Sequence, residues 1–152
     1  MRTLFDADRE YMARALALAK EAAEEGEVPV GCVIVRDGTV IGEGRNRREG
    51  IKNALAHAEI EAIDQACRTL GGWRLTGCTL YVTLEPCPMC AGAIVNARIP
   101  RVVFGAKDAR AGAMGSLINV NSYPLNHHAA VESGVMEGEC VTILREFFRG
   151  RR

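Results

Sequence analysis

No stretch of this 152-residue chain approaches the ~18 consecutive apolar residues that a membrane-crossing helix needs, so no membrane partner is expected. The opening residues, MRTLFDADREYM, reach acidic side chains at once and lack the apolar core of a secretory signal. The expectation is a soluble, cytoplasmic protein. Neither sign of charge is in excess, since nineteen Lys and Arg stand against nineteen Asp and Glu. An ordinary nucleic-acid binder is clearly basic, so any polyanion must be met here by a local patch. Repeats, linkers and low-complexity tracts are missing, and the length suits one domain over residues 1–152 that buries about two-thirds of its unfolded surface. Disulfides are not needed by an intracellular chain of this length. Of the six cysteines, Cys32, Cys67, Cys78 and Cys140 stand singly among apolar neighbours, as small buried hydrophobes do. Only Cys87 and Cys90 form a local pair.

Hydrophobic spacing predicts the elements around that pair. DADREYMARALALAKEAAEEGE carries Met12, Ala15, Leu16, Ala19 and Ala23 at helical spacing, with Asp6 or Asp8 to cap its start and Gly26 to end it. VPVGCVIV and TVIGEGRN flank Asp37-Gly38 and read as a hairpin. AHAEIEAIDQACRTL is a helix closed by Gly71-Gly72. CTLYVTL is apolar nearly throughout, as a strand covered on both faces should be. PMCAGAIVNARI follows as a helix and RVVFG as a strand, a unit whose short crossover favours parallel pairing. Residues 106–128 are too long for an idle connection and predict a functional loop. AAVES is a weak edge strand, and GECVTILREFF is a last helix with Cys140, Val141, Leu144 and Phe148 on one side. This order implies one sheet with helices on both faces.

His57, Cys87 and Cys90 are the right donor types for zinc. One Cys-x-x-Cys without a second cannot close a four-ligand structural site unless another histidine joins, and three protein ligands leave the fourth position open, as in catalytic zinc. A redox role fits less well, because Pro86 and Pro88 bracket Cys87 and no thioredoxin-like context surrounds it. Cys87 lies where a strand hands over to a helix, and Pro88 suits a first helical turn. Helix starts stabilise thiolates, and His57 lies at a helix start too. Glu59 points roughly 200° away from His57 on a regular helix, so it is not a second ligand on that face. At the first turn it can still reach the open side of the metal and carry protons. His127 and His128 are set aside, since adjacent histidines diverge and a fourth protein ligand would take the place of water.

HAE at residues 57–59 with PCPMC at 86–90 resembles the H-x-E…P-C-x-x-C signature of the zinc nucleobase deaminases, the cytidine/deoxycytidylate deaminase superfamily. EVPVGCVIV, IGEGRN, LYVTLEPCPMCAGAI, RVVFGAKDARAGAMGS, LNHH and the closing REFFRGRR extend the similarity over almost the full length, to the bacterial tRNA-specific adenosine deaminases. KNALAHAEI departs from that pattern, with Asn53-Ala54 where relatives often have Asp-Pro. The resemblance implies a three-layer α/β/α cytidine-deaminase-like fold built on a five-stranded mixed sheet. It also implies a homodimer, one Zn2+ per subunit, and hydrolytic deamination of adenosine to inosine at the wobble position of a tRNA anticodon stem-loop. Carried over by position, His57, Cys87 and Cys90 bind zinc, Glu59 shuttles protons and Asn46 hydrogen-bonds the target base. Lys107, Asp108 and Arg110 hold flanking nucleotides, and Phe148, Arg149, Arg151 and Arg152 form the RNA-contacting end.

The charge pattern agrees with a nucleic-acid partner. Arg45, Arg47 and Arg48 flank Asn46, and Arg145, Arg149, Arg151 and Arg152 load the final turns. An anticodon loop presents bases already free of a duplex, and Phe148 is placed to stack on one. The bland alternative is a helix C-terminus complemented by cations, with Phe147 and Phe148 in the core. Two other functions share the metal residues: a deaminase of free guanine or cytosine, which needs no arginine-rich end, and a non-catalytic zinc module that binds RNA, which has no use for Glu59.

Overall fold

The structure, a computed structural model, describes residues 3–151. Helix α1 (Leu4–Glu24) is capped by Thr3, whose side chain accepts the Asp6 N–H while the Asp6 carboxylate accepts the Thr3 N–H. The cap is therefore neither Asp6 nor Asp8. Asp8 instead turns inward, accepting hydrogen bonds from Tyr81 Oη at 2.7 Å and Arg101 Nη1 at 2.9 Å. A hairpin of β1 (Gly31–Arg36) and β2 (Thr39–Arg45) follows. Its turn needs left-handed backbone at Asp37 (φ 50°) and Gly38 (φ 75°), the pairing that makes Asp-Gly a hairpin signal. Then come α2 (Ala58–Leu70), β3 (Cys78–Leu84), α3 (Pro88–Asn96), β4 (Arg101–Ala106), a 3₁₀ turn at Val120–Ser122, β5 (Ala130–Ser133) and α4 (Glu137–Arg149). Helix α3 ends before the expected Ile99, because Arg98 adopts φ 61° and turns the chain towards β4.

The strands lie in the order β2-β1-β3-β4-β5. β1 is antiparallel to β2 and β3, whereas β3–β4 and β4–β5 are parallel. Residues two apart share a face, and the core divides accordingly. Cys32, Ile34, Leu80, Val82 and Val102 pack with α2 and α3. Val33, Val35, Tyr81 and Val103 pack with α1 and Cys140 of α4. This is the expected five-stranded mixed sheet between two helical layers. Close approach sets Gly31, where an added Cβ would lie 1.9 Å from the Ala15 carbonyl oxygen of α1. On α4, Cys140 is buried and Val141 and Leu144 are half-buried, but Phe148 is 54% exposed and is not core. Among the described residues no helix is long and apolar enough to cross a membrane.

Candidate active site

Two helices start at one point, beside the carboxyl ends of β3 and β4, where ligands of such sheets bind. His57 is the N-cap of α2 and Cys87 the N-cap of α3, both with extended backbone. Neither side chain caps its own helix, so both are available to something else. Pro88 occupies the first turn of α3, where its missing N–H costs nothing, and one turn of helix brings Cys90 under Cys87.

His57 Nδ1 lies 3.6 Å from the Sγ of Cys87 and 3.6 Å from that of Cys90, and the three donor atoms all lie within 4.8 Å of one another. A tetrahedral ion about 2.3 Å from sulfur and about 2.0 Å from nitrogen separates those donors by about 3.5 Å. The residues therefore fit a metal ion. Their charges fit as well. The hydrogen bond from the Cys90 thiol lowers Cys87 to about 4, against the effect of burial and with help from His57. Cys90, which donates to that thiolate and is buried, is pushed up. The hydrogen bond with Cys87 raises His57, while burial and Arg48 oppose it. The hydrogen bond between the two sulfurs favours a thiolate at Cys87 and a thiol at Cys90, and a dication beside them would allow both to be thiolates. His127 Nε2 and His128 Nε2 lie 2.7 Å from the Ile99 and Tyr123 carbonyl oxygens and are not part of this group.

Glu59 sits in the first turn of α2 and is 4% exposed. Burial pushes its carboxyl up to about 7; its own backbone N–H opposes this and the Cys87 charge adds to it. A carboxyl poised there can both take and give a proton at neutral pH. Glu59, His57, Cys87 and Asn46 share the wall of a cavity of about 150 Å³. The Oδ1 of Asn46 accepts the Ala58 N–H at 2.9 Å and so does the capping that His57 omits, leaving the Asn46 amide N–H groups for a ligand.

The basic residues divide sharply. Arg45 is paired with Glu25 at 2.8 Å and Arg47 with Glu61 at 2.7 Å, so these two do not form the patch that the sequence suggests. The Arg48 guanidinium makes no hydrogen bond or ion pair with a described residue, and Arg48 lines the same cavity. A second depression, about 640 Å³, shares Val28, Leu84 and Asp108 with the first and adds Lys107, Arg110, Leu144 and Phe148. Lys107, Asp108, Arg110 and Phe148 are thus brought together beside the metal group. Asp108 also braces its own turn, accepting the N–H groups of Arg110 and Ala111 at 3.0 and 3.1 Å. Arg149 is exposed and the Arg151 guanidinium stacks 4.1 Å above the Phe147 ring, neither of them lining the groove. Arg152 lies outside the described residues.

Sequence reasoning missed two buried carboxylates beside the cavity. Glu85, 2% exposed, accepts N–H groups of Asp108, Met114 and Ser116 at 3.1, 3.1 and 3.0 Å. Glu27, 3% exposed, accepts those of Glu49 and Gly50 at 3.1 and 2.7 Å. The available signal was an acidic residue at the border of each apolar run, in GEVPV and TLEPC.

A His/Cys/Cys group at two helix starts, with a buried glutamate beside it on this sheet, defines the deaminase class, and residues 6–152 match the family described as MafB19-like deaminase. A Bacillus subtilis protein named tRNA-specific adenosine deaminase is 52% identical over 95% of this chain and 91% of its own. Among solved structures, one from work on A-to-I editing by tRNA deaminases at the wobble position superposes with a TM-score of 0.86 at 47% identity, over 89% of this chain and 99% of that one. A guanine deaminase from Bacillus subtilis gives 0.62 at 35% identity, over 77% of this chain and 85% of that one. The chain belongs to the tRNA-specific adenosine deaminase family.

Proposed function

We propose that the protein hydrolyses adenosine to inosine at the wobble position of a tRNA anticodon. His57, Cys87 and Cys90 hold one zinc ion per subunit, and residues 1–152 act as one deaminase domain. The 3.6 Å spacing of His57 Nδ1 from both thiols, beside buried Glu59, carries the reading. Two thiolates and an imidazole suit zinc better than a hard cation. When bound, zinc acidifies water, from a pKa of about 15.7 to about 7. Glu59 takes a proton from the attacking water and gives it to the ring nitrogen beside the amino-bearing carbon. It then takes the second water proton and gives it to the amino group, which leaves as ammonia, so that a carbonyl stands in its place. Asn46 orients the base through its amide N–H groups, while burial of Glu59 keeps its proton from bulk solvent.

Lys107, Asp108, Arg110 and Phe148 hold flanking nucleotides in the adjoining groove, with Arg149 and Arg151 outside it; these two and Arg152 meet phosphates farther along the loop. Incubation with an adenosine-containing anticodon stem-loop, and separately with free adenine, guanine and cytosine, tests the reading. Inosine from the stem-loop alone is expected; conversion of a free base instead would favour the smaller substrates. Arg48, the unpaired cation at the cavity wall, gives a second test. Arg48→Ala should flatten the log–log salt dependence of stem-loop binding by about 0.7, and an unchanged slope would remove Arg48 from the interface.

The enzyme works in the cytoplasm, as a homodimer. Leu117, Ile118, Tyr123 and Leu125 expose apolar side chains on the 106–128 loop, which supports burial against a second copy. Sedimentation at a single monomer mass would oppose it.

A further inference from the structure

The 107–118 segment is neither helix nor strand, yet it carries Lys107, Asp108 and Arg110 and walls the base cavity through Asp108 and Ala111. Within the segment, Asp108 and Gly112 oxygens accept the N–H groups of Arg110, Ala111, Gly112, Leu117 and Ile118, and the Ile118 carbonyl oxygen accepts that of Gly115, which shapes the loop but does not fix it to the sheet. Its ties to the rest of the site run to the two residues just before Cys87. Glu85 Oε1 accepts from Asp108 N–H and Ser116 Oγ–H, and Oε2 accepts from Met114 N–H and Ser116 N–H. The Pro86 carbonyl oxygen accepts Ala113 N–H at 2.8 Å. Gly112 completes the fit, since a Cβ there would lie 2.4 Å from Glu85 Cδ and 2.4 Å from the Asp108 carbonyl oxygen.

We propose that Glu85 is a positioning residue for the reaction, locking the substrate-holding loop to the turn that carries Cys87. Four donors converge on one buried carboxylate at the cavity wall, whose two oxygens are both taken up by the loop. Such charge-assisted bonds are strong and directional, so the loop and the metal group are held as one body. The role rests on the reading of this groove as the RNA site. Glutamine at this position keeps the shape of the side chain but turns an NH2 towards donors. Whichever way its amide is oriented, at least one backbone N–H loses its acceptor.

The test uses metal-loaded, full-length Glu85→Gln with the anticodon stem-loop. KM should rise about tenfold, the effect of losing about 1.4 kcal/mol of organised binding, with kcat nearly unchanged, because Glu59 and the three ligands stand on α2 and α3. Metal content should stay at the wild-type value, and amide exchange at Met114 and Ser116 should accelerate. Glu85→Asp, which keeps the acceptors, should recover part of the affinity. Gly112→Ala attacks the same contact from the loop side and should reproduce the KM effect even where Glu85→Gln folds poorly. Unchanged exchange in 107–118, or a fall in kcat with KM constant, would overturn the proposal. Loss of metal and fold in both variants would do the same, reducing Glu85 to a structural group. Wild-type protein is run in parallel: if it makes no inosine, the RNA reading fails, while the exchange data still judge the coupling of loop to turn.

Discussion

Replacing Glu59 with alanine should leave a folded protein that retains its metal and deaminates about 10²- to 10⁴-fold more slowly, the usual contribution of one positioned acid–base group. Metal is retained because the three donors that fit an ion are His57, Cys87 and Cys90, and Glu59 is not among them. Turnover is lost because Glu59 is the buried carboxyl beside those ligands in the cavity, and no other acid there is free for the task. Glu85 spends both oxygens on the 107–118 loop, and Asp108 braces its own turn. Single-turnover kinetics on a stem-loop, with metal measured in the same samples, checks both halves. Near-normal turnover would remove Glu59 from the mechanism. Loss of metal along with activity would make it a ligand instead.

The largest effect on stability is expected from Asp8→Ala. Arg101 reaches Asp8 through two hydrogen bonds, at 2.9 and 2.7 Å, and Tyr81 through a third at 2.7 Å. Asp8 and Tyr81 are buried between α1 and the sheet, and Arg101 is half-buried. Breaking one side of such a pair leaves an uncompensated charge, at about 3–5 kcal/mol. Arg101 keeps Glu132 at 3.1 Å and is 19% exposed, so the lower end, about 3 kcal/mol, is expected. For a chain of this length that lowers Tm by about 6–12 °C. The site lies across the sheet, so the folded fraction should keep its activity. Burial alone would raise the Asp8 carboxyl, but the hydrogen bonds from Arg101 and Tyr81 outweigh it and the net shift is downward. A group with a depressed folded pKa stabilises above its unfolded value, near about 4, and loses that contribution as pH falls towards the folded value. The gap between wild type and Asp8→Asn in urea unfolding should therefore be full at pH 7 and shrink below about pH 4. A gap independent of pH would place the effect in packing rather than in charge.

Local chemistry made much of this protein readable. The unbroken apolar runs in CVIV and CTLYVTL, each strand buried on both faces, and the helical spacing in AHAEIEAIDQACRTL are properties of a few neighbouring residues, and the structure follows them. The three side chains that fit a metal ion were legible for the same reason. Cys87, Pro88 and Cys90 state a helix start carrying two thiols, and His57 two residues before Glu59 states another. Helix ends were less legible, because several residues compete for each. Thr3 took the cap from Asp6 and Asp8, since a capping box needs both Thr3 and Asp6.

What the sequence could not decide is which charges are already used. Arg45 and Arg47 look like an RNA patch until Glu25 and Glu61, 20 and 14 residues away, neutralise them. Glu85 looks like an ordinary acid before a helix until a loop 23 to 31 residues farther on turns its N–H groups towards it. Asp8 meets Arg101 across 93 residues. Secondary structure and the placing of His57, Cys87 and Cys90 at helix starts were set by the chain itself, through periods and spacings that act within a turn or a strand. The division of polar groups into paired and free was set only by the tertiary fold, because a hydrogen bond or ion pair is short-ranged and its partner is chosen by which elements the sheet brings side by side.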